Sequence, residues 1–306
     1  MMKDSPFYPS ALLMLRVLPF VVPEECFALK GGTAINLFAR DLTRLSVDID
    51  LTYLPIGPRR ESLDKIHQAL ARIADEITRS LPGIKVQPSK SRSTALITKL
   101  FVNDRGVQIK IEPNEIIRGT IFPNRELRLS KKARDLFELD VSSQVLSFED
   151  LYGGKICAAL DRQHPRDLFD VKLLLENEGF NEKVRKAFVV YLISHNRPIH
   201  ELLDPQLIDI KTLFEEEFTG MIDHKVSCED LVDARRILIS KIQSELSEEE
   251  RKFLLSVKEM NPSWGLLGLE GIEKLPAVKW KLENLGKMKP KLHGESVKIL
   301  KMVLGL

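Results

Sequence analysis

The chain has 306 residues, a formal net charge of +2, 43% hydrophobic and 29% charged residues. This is the make-up of a soluble globular protein with room for two domains, and so balanced a charge does not by itself demand a nucleic-acid partner. Its three cysteines (Cys26, Cys157, Cys228) are scattered and lack C-x-x-C spacing, which argues for a reducing compartment and against disulfide or zinc chemistry.

Residues 9–22 read as an N-terminal helix, broken near Pro19 or ended by Pro23. Its apolar stretch from Ala11 to Val22 contains Arg16 and has no small-residue cleavage site, and no later run reaches the ~18 apolar residues of a membrane span. A cytoplasmic location with no membrane partner is expected. Phe27–Lys30 is a short strand leading into Gly31-Gly32, and Thr33–Ala39 reads as helix. Residues 45–53 read as strand, because Val47, Ile49 and Leu51 alternate with Ser46, Asp48 and Asp50. From Arg59 to Leu81 the apolar residues Leu63, Ile66, Leu70, Ile73, Ile77 and Leu81 recur at steps of three and four, which predicts an amphipathic helix. Residues 84–87, 94–102 and 107–113 are strands, the last two joined by a turn at Asn103-Asp-Arg-Gly106.

After residue 125 the pattern turns helical. Ser147-Phe-Glu-Asp150 resembles a capping box that opens a helix to about Arg162, and Pro165 opens another that ends near 177–179. Residues 181–195, 207–217, 228–245 and 247–259 also read as helices. The expected class is α+β or α/β: an α/β domain with a mixed sheet over 1–125, a helical region over 126–205 completing the active site, and a C-terminal helical region over 206–306. Trp264 and Trp280 read as core anchors of that last region. Residues 279–302 carry seven lysines (Lys279, Lys281, Lys287, Lys289, Lys291, Lys298, Lys301) against Glu283 and Glu295. Such a segment attracts phosphate, although a solvated helix face has the same composition.

The chemistry concentrates in a few places. Asp48 and Asp50 sit at i and i+2 of a strand beside the Ser46 hydroxyl, a cradle for a hard cation such as Mg2+. The glycines before them let the backbone approach an anionic group such as a nucleotide triphosphate. A polar edge strand would carry the same two acids for solubility alone. Glu112 supplies a third carboxylate if its strand neighbours residues 45–51, and three acids can hold two Mg2+ ions ~3.5–4 Å apart. A simple pair with Lys110 would explain Glu112 equally well. Lys155 and Arg162 share a helix face close to Arg166-Asp-Leu-Phe-Asp170, where Asp167 or Asp170 could orient the lysine or a metal-bound water. A surface pair of Arg166 and Asp170 is the simpler account, and periodicity does not choose between them. His164 reads as a loop or cap residue. Zinc, P-loop and Rossmann signatures are missing from the sequence.

Taken together, Lys30-Gly-Gly-Thr-Ala-Ile-Asn-Leu37, Arg44-Leu-Ser-Val-Asp-Ile-Asp-Leu51, Lys155-Ile-Cys-Ala-Ala-Leu-Asp-Arg162 and Pro165-Arg-Asp-Leu-Phe-Asp170 resemble the AbiEii/AbiGii toxin family of the nucleotidyltransferase-fold superfamily. The family's members act in type IV-like toxin–antitoxin and abortive-infection systems. The resemblance implies an N-terminal nucleotidyltransferase-like domain followed by a mostly helical part. It further implies that Gly31, Gly32, Thr33 and Ser46 hold the nucleotide, with Thr33 at a position usually occupied by serine. Asp48 and Asp50 would bind Mg2+, with Glu112 as a third ligand that some members lack. Lys155 would contact the triphosphate, supported by Arg162 and Arg166, with Asp167 or Asp170 completing the site.

The implied reaction is attack of an acceptor hydroxyl on the α-phosphate of an NTP, with pyrophosphate leaving. The implied acceptor is the 3′ end of tRNA, the implied outcome is blocked translation and growth, and the implied partner is a cognate antitoxin. A protein or small-molecule hydroxyl as acceptor, or an inactive nucleotide- or RNA-binding module, are the competing readings.

Overall fold

In the computed structural model, which describes residues 2–306, the first helix, α1, spans Tyr8–Val17 and tightens into a 3₁₀ turn at Leu18–Phe20 around Pro19. Strand β1 (Phe27–Lys30) runs into helix α2 (Gly31–Thr33), which continues with π winding through Ala34–Ala39. The helix therefore begins at the glycines themselves. Strand β2 covers Ile49–Tyr53, four residues shorter at its start than the alternation predicts. The cause lies in the hydrogen bonding of residues 45–48. Leu45 N–H donates to Met221 O, Arg44 donates to Leu45 O, and the Thr33 hydroxyl donates to Asp48 O. With those groups engaged elsewhere, no ladder forms there.

Helix α3 (Arg59–Ser80) buries Ile66, Leu70, Ile73 and Ile77 and packs on strands β3 (Lys85–Lys90) and β4 (Ile97–Asp104). Strand β5 (Val107–Asn114) follows through a turn in which Arg105 and Gly106 both have positive φ, as the Asn103–Gly106 sequence requires. The helical character expected from residue 125 sets in only at Phe148. Strands β6 (Arg125–Arg128) and β7 (Ser142–Val145), with α4 (Lys131–Phe137) between them, come first. Both strands are four residues long, too short for an alternation to stand out.

The sheet order is β3-β4-β5-β2-β1-β7-β6, mixed, with β2/β5 and β1/β7 parallel and the other pairs antiparallel. Register places Lys30 opposite Asp50 and Asp50 opposite Glu112, so these three residues form one row across β1, β2 and β5. Helix α5 (Phe148–Asp161) begins with the Ser147 hydroxyl accepting the Asp150 N–H at 3.0 Å. The Ser147 hydroxyl in turn donates to the Asp150 carboxylate at 2.8 Å. That carboxylate also accepts the N–H groups of Ile121 and Phe122 and so pins that loop.

The chain divides into two units, everything up to Leu151 with Thr219–Lys225, and Tyr152–Phe218 with Val226–Leu306. The second unit is helical throughout. Helix α6 (Pro165–Asn177) is followed by α7 (Glu182–Ser194), α8 (Ile199–Leu203), α9 (Lys211–Glu217), α10 (Cys228–Glu245), α11 (Glu248–Lys258), α12 (Pro276–Gly286) and α13 (Pro290–Leu304). Within it α10 lies along α6, α11 and α12 pack on α7, and α13 packs on α8 and α11. Trp264 lies tilted against the buried Phe253 ring, with 5.9 Å between centroids. Trp280 is 36% exposed and anchors nothing. No helix among the described residues is long and apolar enough to cross a membrane.

Candidate active site

The carboxylate row of the first unit is built by backbone pairing. Asp50 projects from β2 between Lys30 and Glu112, and Glu112 ends the row in two ion pairs at 2.7 Å, with Lys99 of β4 and Lys110 of its own strand. Burial disfavours the charged Glu112 most strongly, yet the hydrogen bonds from Lys110 and Lys99 outweigh it and hold this carboxyl below the usual carboxylate range. Burial likewise works against the Lys110 ammonium, and the surrounding acids Glu112, Asp48 and Asp50 overcome it and raise its pKa. Lys99 has no place in the sequence motifs, whereas Lys110 is the partner that the sequence offered Glu112.

Asp48 lies just ahead of β2 and is fixed at two points. Its backbone carbonyl accepts the Thr33 hydroxyl at 2.6 Å, and its Oδ1 accepts the Lys110 N–H at 3.0 Å. Thr33 is 1% exposed and also lies 2.9 Å from the Ser46 hydroxyl, so this pair of hydroxyls supports Asp48 from below. The glycines are needed for close approach. Gly31 has φ +69°, and a Cβ there would collide with Asp50 Oδ2. A Cβ on Gly32 would come within 2.5 Å of Arg44 Nη2, so this turn lets a buried guanidinium lie directly beneath it. Arg44 opens the Arg44–Leu51 motif, and its place beneath Gly32 shows only in the fold.

A cavity of about 520 Å³ opens beside Asp50 and Glu112 and extends over β5 and β4 to Arg59, with Ser91, Thr98 and Asn114 in its wall. Asp48 and Asp50 offer hard oxygen donors and fit a divalent cation. Glu112 is engaged by its two lysines. Among the described residues no group of three or more histidines, cysteines, aspartates and glutamates is arranged to hold a metal.

The second unit carries the other predicted residues. Lys155 on α5 donates to Asp167 Oδ1 at 2.8 Å and lies 3.0 Å from Asp170 Oδ2, both on α6. Arg162 completes the cluster on Asp167, at 2.5 Å to Oδ2 and 3.0 Å to Oδ1. Lys155, Asp167 and Asp170 are 6%, 1% and 0% exposed. Burial alone would raise the Asp167 pKa, but Lys155 and Arg162 overcome it and hold this carboxyl far below the usual range. Asp170 is buried, so it offers Arg166 no partner on the surface. The Arg166 Nη2 bonds Glu217 at 3.1 Å, beside His164, whose Nδ1 accepts the Arg166 N–H and caps α6. Of the C-terminal lysines, Lys281 is buried and donates to the carbonyls of His195 and Arg197 at 2.7 Å each, so it faces no solvent phosphate. Burial first, and then Lys258, lower its pKa to about 8.

An α+β fold, a glycine turn against Asp50 and a cavity beside Asp50 and Glu112 together describe a nucleotide-handling domain. The chain belongs to the AbiEii family of nucleotidyltransferase toxins of type IV toxin–antitoxin systems, whose family model matches residues 12–284. In fold it is similar to MenT4, a nucleotidyltransferase toxin from Mycobacterium tuberculosis H37Rv. The two share 12% identity at a TM-score of 0.61, over 93% of this chain and 96% of that one. No curated protein matches this chain in sequence.

Membership makes the chain an enzyme of nucleotidyl transfer, with an NTP as substrate and an antitoxin as the partner of its toxin class.

Proposed function

We propose that the chain transfers an NMP from an NTP to the 3′-terminal hydroxyl of tRNA, with Mg2+ bound at Asp48 and Asp50, and thereby blocks translation. The observation that carries this reading is the placement of Asp50 in register with Glu112 and directly over the positive-φ turn at Gly31. An acidic pair that only kept an edge strand soluble would need no such turn. The main-chain N–H groups of residues 31–33 would hold the β- and γ-phosphates, while the Thr33 hydroxyl, beside that of Ser46, keeps Asp48 in place.

The acceptor oxygen attacks the α-phosphorus, the bond to the β-phosphate oxygen breaks, and pyrophosphate leaves with its negative charge. The acceptor proton passes to an aspartate oxygen or to water. Mg2+, when bound, supplies a Lewis acid that neutralises charge on the phosphate oxygens. Lys99 and Lys110 hold Glu112 in the resting arrangement. Were these lysines to take phosphate oxygens instead, Glu112 would be free to serve with Asp48 and Asp50 as a third oxygen donor. Lys155, 6% exposed against Asp167 and Asp170, serves the fold in this reading and holds α5 to α6.

The test is incubation of the folded protein with total tRNA, Mg2+ and each labelled NTP in turn. Label in tRNA, lost on chelation, is expected. Label confined to protein would favour a protein hydroxyl as acceptor. No label with any of the four nucleotides would leave a binding module.

A further inference from the structure

Lys30 closes strand β1, and the chain turns at Gly31 directly after it. It lies in register opposite Asp50, and Asp50 lies opposite Glu112. Residues directly opposite one another project from the same face of a sheet, so the Lys30 side chain leaves on the side of the two acids. The cavity beside Asp50 and Glu112 agrees with this, since Lys30 and Lys99 both line it. Across the sheet the row runs Lys30, Asp50, Glu112, and Lys99 closes it through its ion pair to Glu112 at 2.7 Å. Two acids thus stand between two lysines, and Lys30, half-buried, is the one at the glycine turn.

A triphosphate carries several negative charges, which the partial charges of turn N–H groups do not balance. The basic residues differ in whether they can reach it. Lys155 is sealed against Asp167 and Asp170. Arg44 is 2% exposed beneath Gly32. Lys99 is open to the cavity but stands on β4, three strands from β1 and so about 14 Å away at the usual strand spacing. Lys30 is open to the same cavity and adjoins the turn in sequence. Its flexible stem carries a point charge that can swing between a carboxylate and a phosphate.

We infer that the Lys30 ammonium binds the terminal phosphates of the NTP. The inference rests on the transfer reading above and names the side chain that meets the anion in it. At this position one charge acts oppositely on the two ligands of the site. A positive charge beside Asp50 repels a divalent cation there, while it attracts a triphosphate at the turn. Removing that charge therefore tightens the first and weakens the second, which the loss of a merely supporting side chain would not do.

The experiment measures binding, so that it does not depend on turnover. Wild type, Lys30→Met and Lys30→Arg are titrated with Mn2+ alone, with an NTP in the absence of divalent metal, and with the matching NMP. Lys30→Met is expected to bind the NTP about tenfold more weakly and Mn2+ a few-fold more tightly. Its affinity for the NMP, which has no terminal phosphates, should stay unchanged, and so should its melting temperature. Lys30→Arg keeps the charge and should hold NTP affinity within about threefold of wild type. NTP affinity that Lys30→Met leaves intact would overturn the inference. An equal loss for NTP and NMP would overturn it too, and so would a fall in Mn2+ affinity or an arginine variant as weak as the methionine one. The two readings fail separately. A wild type that labels tRNA while Lys30→Met binds NTP normally loses only the role of Lys30. One that binds NTP through Lys30 and never transfers loses only the reaction.

Discussion

The carboxylates of β2 and β5 are half-buried beside open space, and their partners are lysines on flexible stems that can exchange one anion for another. Those of α6 are sealed, with Asp167 and Asp170 at 1% and 0% exposure around a lysine at 6%. The same residue types therefore do different work. In the open row, charge is held ready for a ligand that has yet to arrive. In the sealed cluster it is already matched, two cations to two anions, and what it fixes is the position of Lys155 and the pairing of α5 with α6. A substitution in the first should register in activity, and one in the second in stability.

The largest effect is expected in the sealed cluster. Lys155→Met leaves two carboxylates buried with a single arginine between them and should cost about 3–5 kcal/mol, read from urea denaturation. Unchanged stability with lost transfer would erase the distinction between the clusters and make Lys155 a purely catalytic group. The pH dependence follows from Asp167. Its folded-state pKa is depressed, so its contribution is complete above the ordinary unfolded value of about 3.9 and fades as the pH falls below it. Asp167→Asn should thus be less stable than wild type at neutral pH, with the gap closing in acid.

In the open row, Asp48→Asn keeps the Oδ1 that accepts the Lys110 N–H and removes only charge. Transfer should fall by about a hundred- to a thousandfold while denaturation moves by less than about 1 kcal/mol. Gly31→Ala tests the turn between these extremes. Its positive φ and the collision with Asp50 Oδ2 should cost about 1 kcal/mol of stability and displace the carboxylate as well, so the NTP dissociation constant should rise along with the loss of transfer. An alanine variant with normal NTP binding would show that the turn serves folding alone.

How much of this could be read from the sequence depended on whether a feature was local. The long α3 and the α6 start at Pro165 announce themselves through periodicity and a proline at the first turn, and both are found where the sequence puts them. The Gly-Gly-Thr and Asp-x-Asp motifs are short and contiguous, and they were legible as a pair. What escaped was set by partners distant in sequence. Strand β2 is shortened because Met221 and Thr33 take the backbone groups of residues 45–48. Lys99 joins the site only because β4 brings it to Glu112, whereas the Lys110–Glu112 pair, two residues apart on β5, was open to the sequence and is found. That Asp167 and Asp170 both hold Lys155 was hidden for the same reason as Lys99, since the pairing joins α5 to α6.

His164 gives the finest test, because it borders the sealed cluster through Arg166 yet remains slightly exposed. Its Nδ1 accepts the Arg166 N–H and its Nε2 faces Glu217 at 3.1 Å, an arrangement that requires a neutral ring with the proton on Nε2. Burial lowers its pKa most and Arg166 adds to that, against the pull of Glu217. Because the folded state resists the proton, the helix cap is intact above the unfolded value of about 6.5 and is lost as the pH falls through the lowered folded value. His164→Ala should cost about 1 kcal/mol at neutral pH, the usual worth of a cap. His164→Asn retains an acceptor and should stay close to wild type there, then gain on it in the interval that opens as the pH falls below about 6.5. His195 and His200, whose pKa values burial also lowers, titrate in both proteins and cancel from the difference. Parallel stability curves for wild type and His164→Asn over that interval would show that the ring is not what resists the proton, and that α6 is held in place by the Lys155 cluster alone.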